Sequence, residues 1–275
     1  MPPSYNHNDI IAGGPAKGHT MKVLVERNGP VTTISINRIE VKNAVDPETS
    51  VLLREAFQAF DQDDDQKVAV FAGEGGTFCA GYDLKAFGAA GEVNLDPEGE
   101  GPMGPSRMLL SKPVIGAIDG FAVAGGLELS LWCDMRVADE GAVFGVYCRR
   151  WGVPLIDGGT VRLPRIVGQG RALDMILTGR PVEADEALSW GLANRVVPKG
   201  TARQAAQDLA FEISRFPELC MKADRMSAYR QADMELTEAL RNEAREGDAP
   251  LRQGAQVGAQ RFASGKGRSG SFEDI

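Results

Sequence analysis

The chain has 275 residues, 30 Lys and Arg against 38 Asp and Glu, a formal net charge of −8, and 43% hydrophobic residues. That is enough apolar material for a large globular core, and the length allows one large domain with a helical appendage. The acidic balance argues against broad nucleic-acid or anionic-membrane binding. The apolar run from Val114 to Leu127 is broken by Asp119 and falls short of the ~20 residues of a membrane span.

Residues 1–21 read as a flexible extension before the core, and residues 1–20 lack the basic start and apolar middle of a secretion signal. The strands Lys22–Arg27 and Val31–Ile36 flank a turn at Asn28-Gly29-Pro30. Asp46-Pro47-Glu48 predicts a helix start: a capping side chain, proline at the first position and an acid in the first turn. That helix carries Leu52, Leu53, Ala56, Phe57 and Phe60 inward and stops in the acidic run Asp61 to Asp65. Val68–Phe71 reads as a buried strand. A loop rich in Gly, Pro and acid, from Glu92 to Pro105, is expected to be mobile. Val114–Ile118 and Met135–Ala138 are further buried strands, and their alternation with helices predicts a layered α/β core over residues 22–200. Residues 201–263 read as a helical C-terminal region and 264–275 as a loose tail.

The rare residues narrow the chemistry. The only histidines, His7 and His19, lie in the leader, so a His-based triad, metal site or general base would have to recruit the terminus. Cys79, Cys133, Cys148 and Cys220 form no C-x-x-C pair and read as reduced, mostly buried thiols, which with the missing signal points to the cytoplasm. Carboxylates, backbone dipoles or a thiol are left to do the work. Two motif matches fail in context. Gly99-Glu100-Gly101-Pro102-Met103-Gly104 fits Gly-x-Gly-x-x-Gly but follows no strand and is flanked by acids. Asp61, Asp63 and Asp65 mimic a calcium loop, with Gln66 and Ala72 where glycine and glutamate are needed.

Two glycine-rich turns share one design. Thr77 to Lys85 and Gly120 to Glu128 each follow a buried strand and open a helix, leaving backbone N–H groups free where the helix dipole favours negative charge. Side by side, they would aim two donors at one carbonyl oxygen, as an oxyanion hole does.

These segments, with Asn37 to Ala44, Lys112 to Asp134, Gly158 to Gly168 and Thr178 to Leu192, resemble the crotonase (enoyl-CoA hydratase/isomerase) superfamily over about Lys22 to Phe262. The resemblance implies a ββα-superhelix core with a helical C-terminal trimerisation region, assembled as a homotrimer or dimer of trimers. It implies an acyl-CoA thioester as substrate, with coenzyme A entering as part of it and no separate cofactor, metal or nucleic-acid partner. The thioester carbonyl would sit between the N–H groups of Tyr82 and Gly125, with the CoA along Val41, Asn43, Ala44, Ala80, Gly81, Asp83 and Leu84; Lys42 or Lys85 would meet its phosphates.

Glu128 matches the first of the two glutamates that family hydratases place across an enoyl group. The second position is Cys148, a departure, since a thiol near pKa 8.5 replaces a carboxylate poorly. Cys148 reads most simply as a packed thiol. Asp157 would supply the missing acid or cap the following helix. Arg149 and Arg150 are expected to pair with surface acids, the alternative being a substrate carboxylate. The reading is an enoyl-CoA hydratase-like lyase. Its alternatives are another crotonase-type reaction (isomerase, dehydratase, decarboxylase or thioesterase) or a non-catalytic acyl-CoA-binding protein.

Overall fold

The computed structural model describes residues 9–10, 21–86 and 96–272. Most of the extension expected over 1–21, residues 92–95 of the predicted mobile loop, and the last three residues of the tail lie outside them.

The main sheet runs in the order β1-β2-β3-β4-β5-β7-β10, from Asp9–Ile10 (β1) through Val23–Asn28, Val31–Ile36, Val68–Gly73, Val114–Ile118 and Met135–Asp139 to Arg195–Val197 (β10). β1, β2 and β3 pair antiparallel; from β3 to β10 every neighbouring pair is parallel. Parallel strands need covering on both faces, which accounts for the nearly continuous apolar runs of β4 and β5. Side chains alternate accordingly. Ala69, Phe71, Val114 and Ile118 join Ile34 and Ile36 against Leu53, Phe57 and Phe60 of α1 (Pro47–Gln62). Val68, Val70, Ala72, Ile115 and Ala117 face Ala206, Leu209 and Ala210 of the helix Ala202–Ser214 on the other side.

The start of α1 follows its sequence: Asp46 accepts the Thr49 N–H at 2.8 Å and Pro47 stands at the first position. Leu53, Phe57 and Phe60 are buried, while Leu52 and Ala56 are only half-buried. A second, three-stranded sheet, β6 (Phe121–Val123), β8 (Val143–Gly145) and β9 (Val182–Glu183), is made of strands too short to declare themselves in the sequence. Between the sheets runs α2 (Gly125–Trp132), buried from Gly126 to Trp132 and therefore without an apolar stripe.

Four helices follow: α3 (Gly159–Val167), α4 (Gln169–Thr178), α5 (Ala184–Trp190) and α6 (Ala202–Ser214). α6, the first helix of the predicted C-terminal region, packs on the main sheet. α7 (Glu218–Arg230), α8 (Leu236–Gln253) and α9 (Ala255–Ala263) lie beyond it. Arg225 and Tyr229 of α7 both reach Asp134 Oδ1, at 2.8 and 2.7 Å. The described part of the tail is anchored rather than loose: Phe272 meets the Phe216 ring edge-on at 5.9 Å and its carbonyl accepts from Arg215. Among the described residues no helix is long and apolar enough to cross a membrane.

Candidate active site

The segment before α1 is built to support a neighbour. Lys42 and Asn43 are consecutive residues with positive φ, +53° and +57°. Asn43 is buried; its Oδ1 accepts the Arg38 N–H at 2.9 Å, and its Nδ2 donates to the Glu74 and Thr77 carbonyls at 2.8 and 2.6 Å. The Arg38 guanidinium meets Asp46 at 3.1 Å and Asp83 at 3.0 Å. Val45 donates to the Gly81 carbonyl and accepts from the Asp83 N–H, both at 2.8 Å, while Ala80 N–H reaches Lys42 O at 3.0 Å. The residues expected along the CoA are thus brought together. Ala80 and Leu84 line a cavity with Lys42, whereas Asn43, Ala44 and Gly81 are buried behind that wall and Val41 is half-buried beside them. Asp83 caps the helical turn after it, accepting from Lys85 and Ala86 N–H at 3.1 and 3.3 Å.

The two glycine-rich turns lie side by side. Cys79 N–H donates to Phe121 O at 2.9 Å, and Val123 N–H returns to Cys79 O at 3.1 Å. Gly81 has φ +104°, and a Cβ there would stand 2.9 Å from Ala124 Cβ and 3.1 Å from Gly125 N, so only glycine permits the approach. At Gly126 a Cβ would collide with Cys79 O. Among the described residues neither the Tyr82 nor the Gly125 N–H donates a hydrogen bond. Both open onto a cavity of about 570 Å³.

Glu128, on the first turn of α2, faces this cavity and is only 2% exposed. Its Oε1 accepts the N–H groups of Asp157 and Gly159, each at 2.9 Å, which leaves Oε2 for a ligand. Burial, and then the charge of Asp157, push its pKa from 4.5 up to about 7, against the pull of those two N–H groups. Glu128 is therefore not a surface side chain. Asp157 is equally buried, and its Oδ1 accepts from Met103 N–H at 3.0 Å and from the Ser106 hydroxyl. It does not cap α3, whose cap position is Gly158 at φ +96°. Burial raises its pKa despite those donors. Cys148 also lines the cavity and is buried, its thiol pushed up by burial and then by Glu128.

Three supporting residues escaped the sequence reading. Met103 comes from the expected mobile loop and the failed nucleotide motif, and Ser106 follows directly after that loop. Residues 101 and 103–106 are in fact buried, because their donors serve Asp157. A Cβ at Gly101 would stand 2.6 Å from Asp157 Oδ1. Arg162 clamps the same corner, donating to Asp157 O at 3.0 Å and Ser106 O at 2.7 Å. Nothing local in the sequence marks the contacts of Met103 and Ser106, which span 51 to 56 residues. The expected surface ion pairs of Arg149 and Arg150 do not form: Arg149 donates to Ile176 O at 2.9 Å, and Arg150 lies over the Tyr147 ring at the cavity wall. The thiols stand as expected, with Cys79, Cys133 and Cys148 buried and Cys220 exposed.

A family model described as enoyl-CoA hydratase/isomerase matches residues 26–268. The chain is 39% identical over 207 residues to the enoyl-CoA hydratase EchA19 of Mycobacterium tuberculosis, covering 73% of this chain and 77% of that protein. It is 38% identical over 203 residues to a carnitinyl-CoA dehydratase of Salmonella typhi, covering 72% and 76%. The crystal structure of enoyl-CoA hydratase EchA1 from Mycobacterium marinum matches the fold with a TM-score of 0.84 at 34% identity, covering 88% of this chain and 96% of that one. With paired turns, buried acid and strand order in place, the chain belongs to the enoyl-CoA hydratase/isomerase family of the crotonase superfamily.

Proposed function

We propose that this crotonase-family enzyme adds water across the C2=C3 bond of a 2-enoyl-CoA, a reaction it also runs in reverse. The observation that carries the reading is Glu128: one carboxylate oxygen pinned by two backbone N–H groups, the other free, in a cavity shared with the unengaged N–H groups of Tyr82 and Gly125. In this reading the thioester oxygen accepts from Tyr82 and Gly125. Ionised Glu128 takes a proton from water as the hydroxyl bonds to C3, and the π pair moves into an enolate held by the two donors. Glu128, now carrying the proton taken from water, returns a proton to C2, with Asp157 or a water as the alternative donor. Burial raises the proton affinity of both acids, and the charge of Asp157 raises that of Glu128 further, which suits Glu128 to accept a proton and give it back near neutral pH. Cys148 is a packed wall residue in the scheme. Coenzyme A enters only as part of the substrate, and exposed Leu236, Leu240, Leu251 and Val257 on α8 and α9 offer apolar surface for a homotrimer in the cytoplasm.

The test is mass spectrometry of 2-enoyl-CoAs of several chain lengths incubated with wild type and Glu128→Gln. Gain of one water, with one deuterium at C2 in heavy water and loss in the variant, is expected. Saturable binding without water gain, or equal turnover by Glu128→Gln, would overturn the proposal.

A further inference from the structure

The cavity carries two acids and two cations, and the cations lack acid partners. Lys42 lies over the Phe121 ring at 5.5 Å, and Arg150 lies over Tyr147 at 4.6 Å and beside Trp151 at 5.9 Å. Neither takes part in an ion pair among the described residues. In a chain with surplus acid, Arg38, Arg180, Arg203 and Arg225 each hold a carboxylate. Arg150 instead spends its Nε on a long contact of 3.4 Å to Tyr147 O, leaving both Nη groups unengaged.

Its placement is built. The strand β8 carries glycine at position 145, where a Cβ would stand 2.5 Å from Tyr147 Cε1, so the Tyr147 ring packs onto the strand backbone. The 3-10 turn Tyr147–Trp151 then holds the guanidinium against that ring. The same turn carries Cys148, which lines the cavity together with Glu128, so Arg150 stands on the wall of the same cavity as that acid. A planar, always charged fork held on aromatic rings, with its donors free, is suited to carboxylate or phosphate.

We propose that Arg150 is a recognition residue that pairs with an anionic group of the bound thioester, either a carboxylate at the far end of the acyl chain or a phosphate of the CoA. This rests on the CoA-thioester reading above but not on the water-addition step. The test measures binding by calorimetry for wild type, Arg150→Gln and Arg150→Lys. The ligands are hexanoyl-CoA, its terminally carboxylated counterpart adipoyl-CoA, and the hexanoyl ester of pantetheine, which has no phosphate. All three are saturated, so no water can be added and binding is read without chemistry.

Loss of one charge-assisted pair predicts about a tenfold rise in Kd for Arg150→Gln, only partly restored by lysine, which keeps the charge without the planar fork. A rise confined to adipoyl-CoA assigns the carboxylate; a rise for both CoA esters that spares the pantetheine ester assigns the phosphate. Equal binding of all three ligands by wild type and Arg150→Gln would overturn the proposal. So would equal weakening of all three, as expected if Arg150 merely packs on its rings. Arg150-dependent binding without hydration of any enoyl-CoA would refute the reaction and leave the recognition intact.

Discussion

Replacing Glu128 by glutamine should inactivate the enzyme and yet stabilise it at alkaline pH. The carboxyl has its pKa raised from 4.5 to about 7 in the folded protein, burial being the larger cause and Asp157 the next. A group with a raised folded pKa favours folding through its protonated form. That contribution is fully present below about pH 4.5 and is lost as pH rises through about 7. At about 1.4 kcal/mol per pH unit, the wild type loses about 3 kcal/mol across this window from Glu128 alone. Glutamine keeps an oxygen for the Asp157 and Gly159 N–H groups and has no charge to desolvate. The variant should therefore match wild type near pH 5 and exceed it by about 3 kcal/mol at pH 8. For a chain of this size that corresponds to on the order of 6–12 °C in Tm. Thermal unfolding of both proteins from pH 4.5 to 8.5 measures the difference. Turnover should move the opposite way, wild-type kcat rising through about pH 7 as the base ionises. A Tm difference independent of pH, or a variant less stable at pH 8, would refute the raised pKa and the catalytic assignment built on it.

Gly101→Ala should reach the chemistry from outside the cavity: its methyl falls against Ser106 and Asp157, so steady-state kinetics should show a lower kcat with a stability loss of about 1–3 kcal/mol. Unchanged kcat would detach Asp157 from the reaction. Asn43→Ala removes the partners of the Arg38 N–H and the Glu74 and Thr77 carbonyls, costing about 3 kcal/mol or more by denaturant titration and raising KM for the CoA ester.

What the sequence made legible is local or periodic. β4 and β5 announce themselves because burial on both faces demands uninterrupted apolar runs. α1 is legible because one side chain, Asp46, closes its first turn. The glycine turns are legible too, since tight crossovers need a residue free of Cβ. The illegible features depend on distant partners. Residues 101–106 have the composition of a loop, and the partners that bury most of them, Asp157 and the flank of α1, come from distant parts of the chain. Asp157 itself fitted capping and catalysis equally well, and the capping reading fails because Gly158 occupies the cap and the Met103 N–H holds the carboxyl inward. Likewise the periodicity of α6 marks an apolar face without saying that the main sheet lies against it.

The same dependence on neighbours explains how the Gly125 N–H is aimed. Ala124 has φ +54° and ψ −126°, a region costly for any residue with a Cβ, on the order of 1–3 kcal/mol. Its ψ sets the plane of the peptide whose N–H belongs to Gly125, so relaxing Ala124 would turn the donor away from the cavity. The strain is held by the Ala124 N–H on Gly145 O at 2.9 Å and by the pairing of β6 with β8. Because Ala124 keeps its methyl, the facing turn must do without one, and the glycine at position 81 is the consequence. The two donors are thus positioned by one shared packing constraint, and substitution at either position disturbs both.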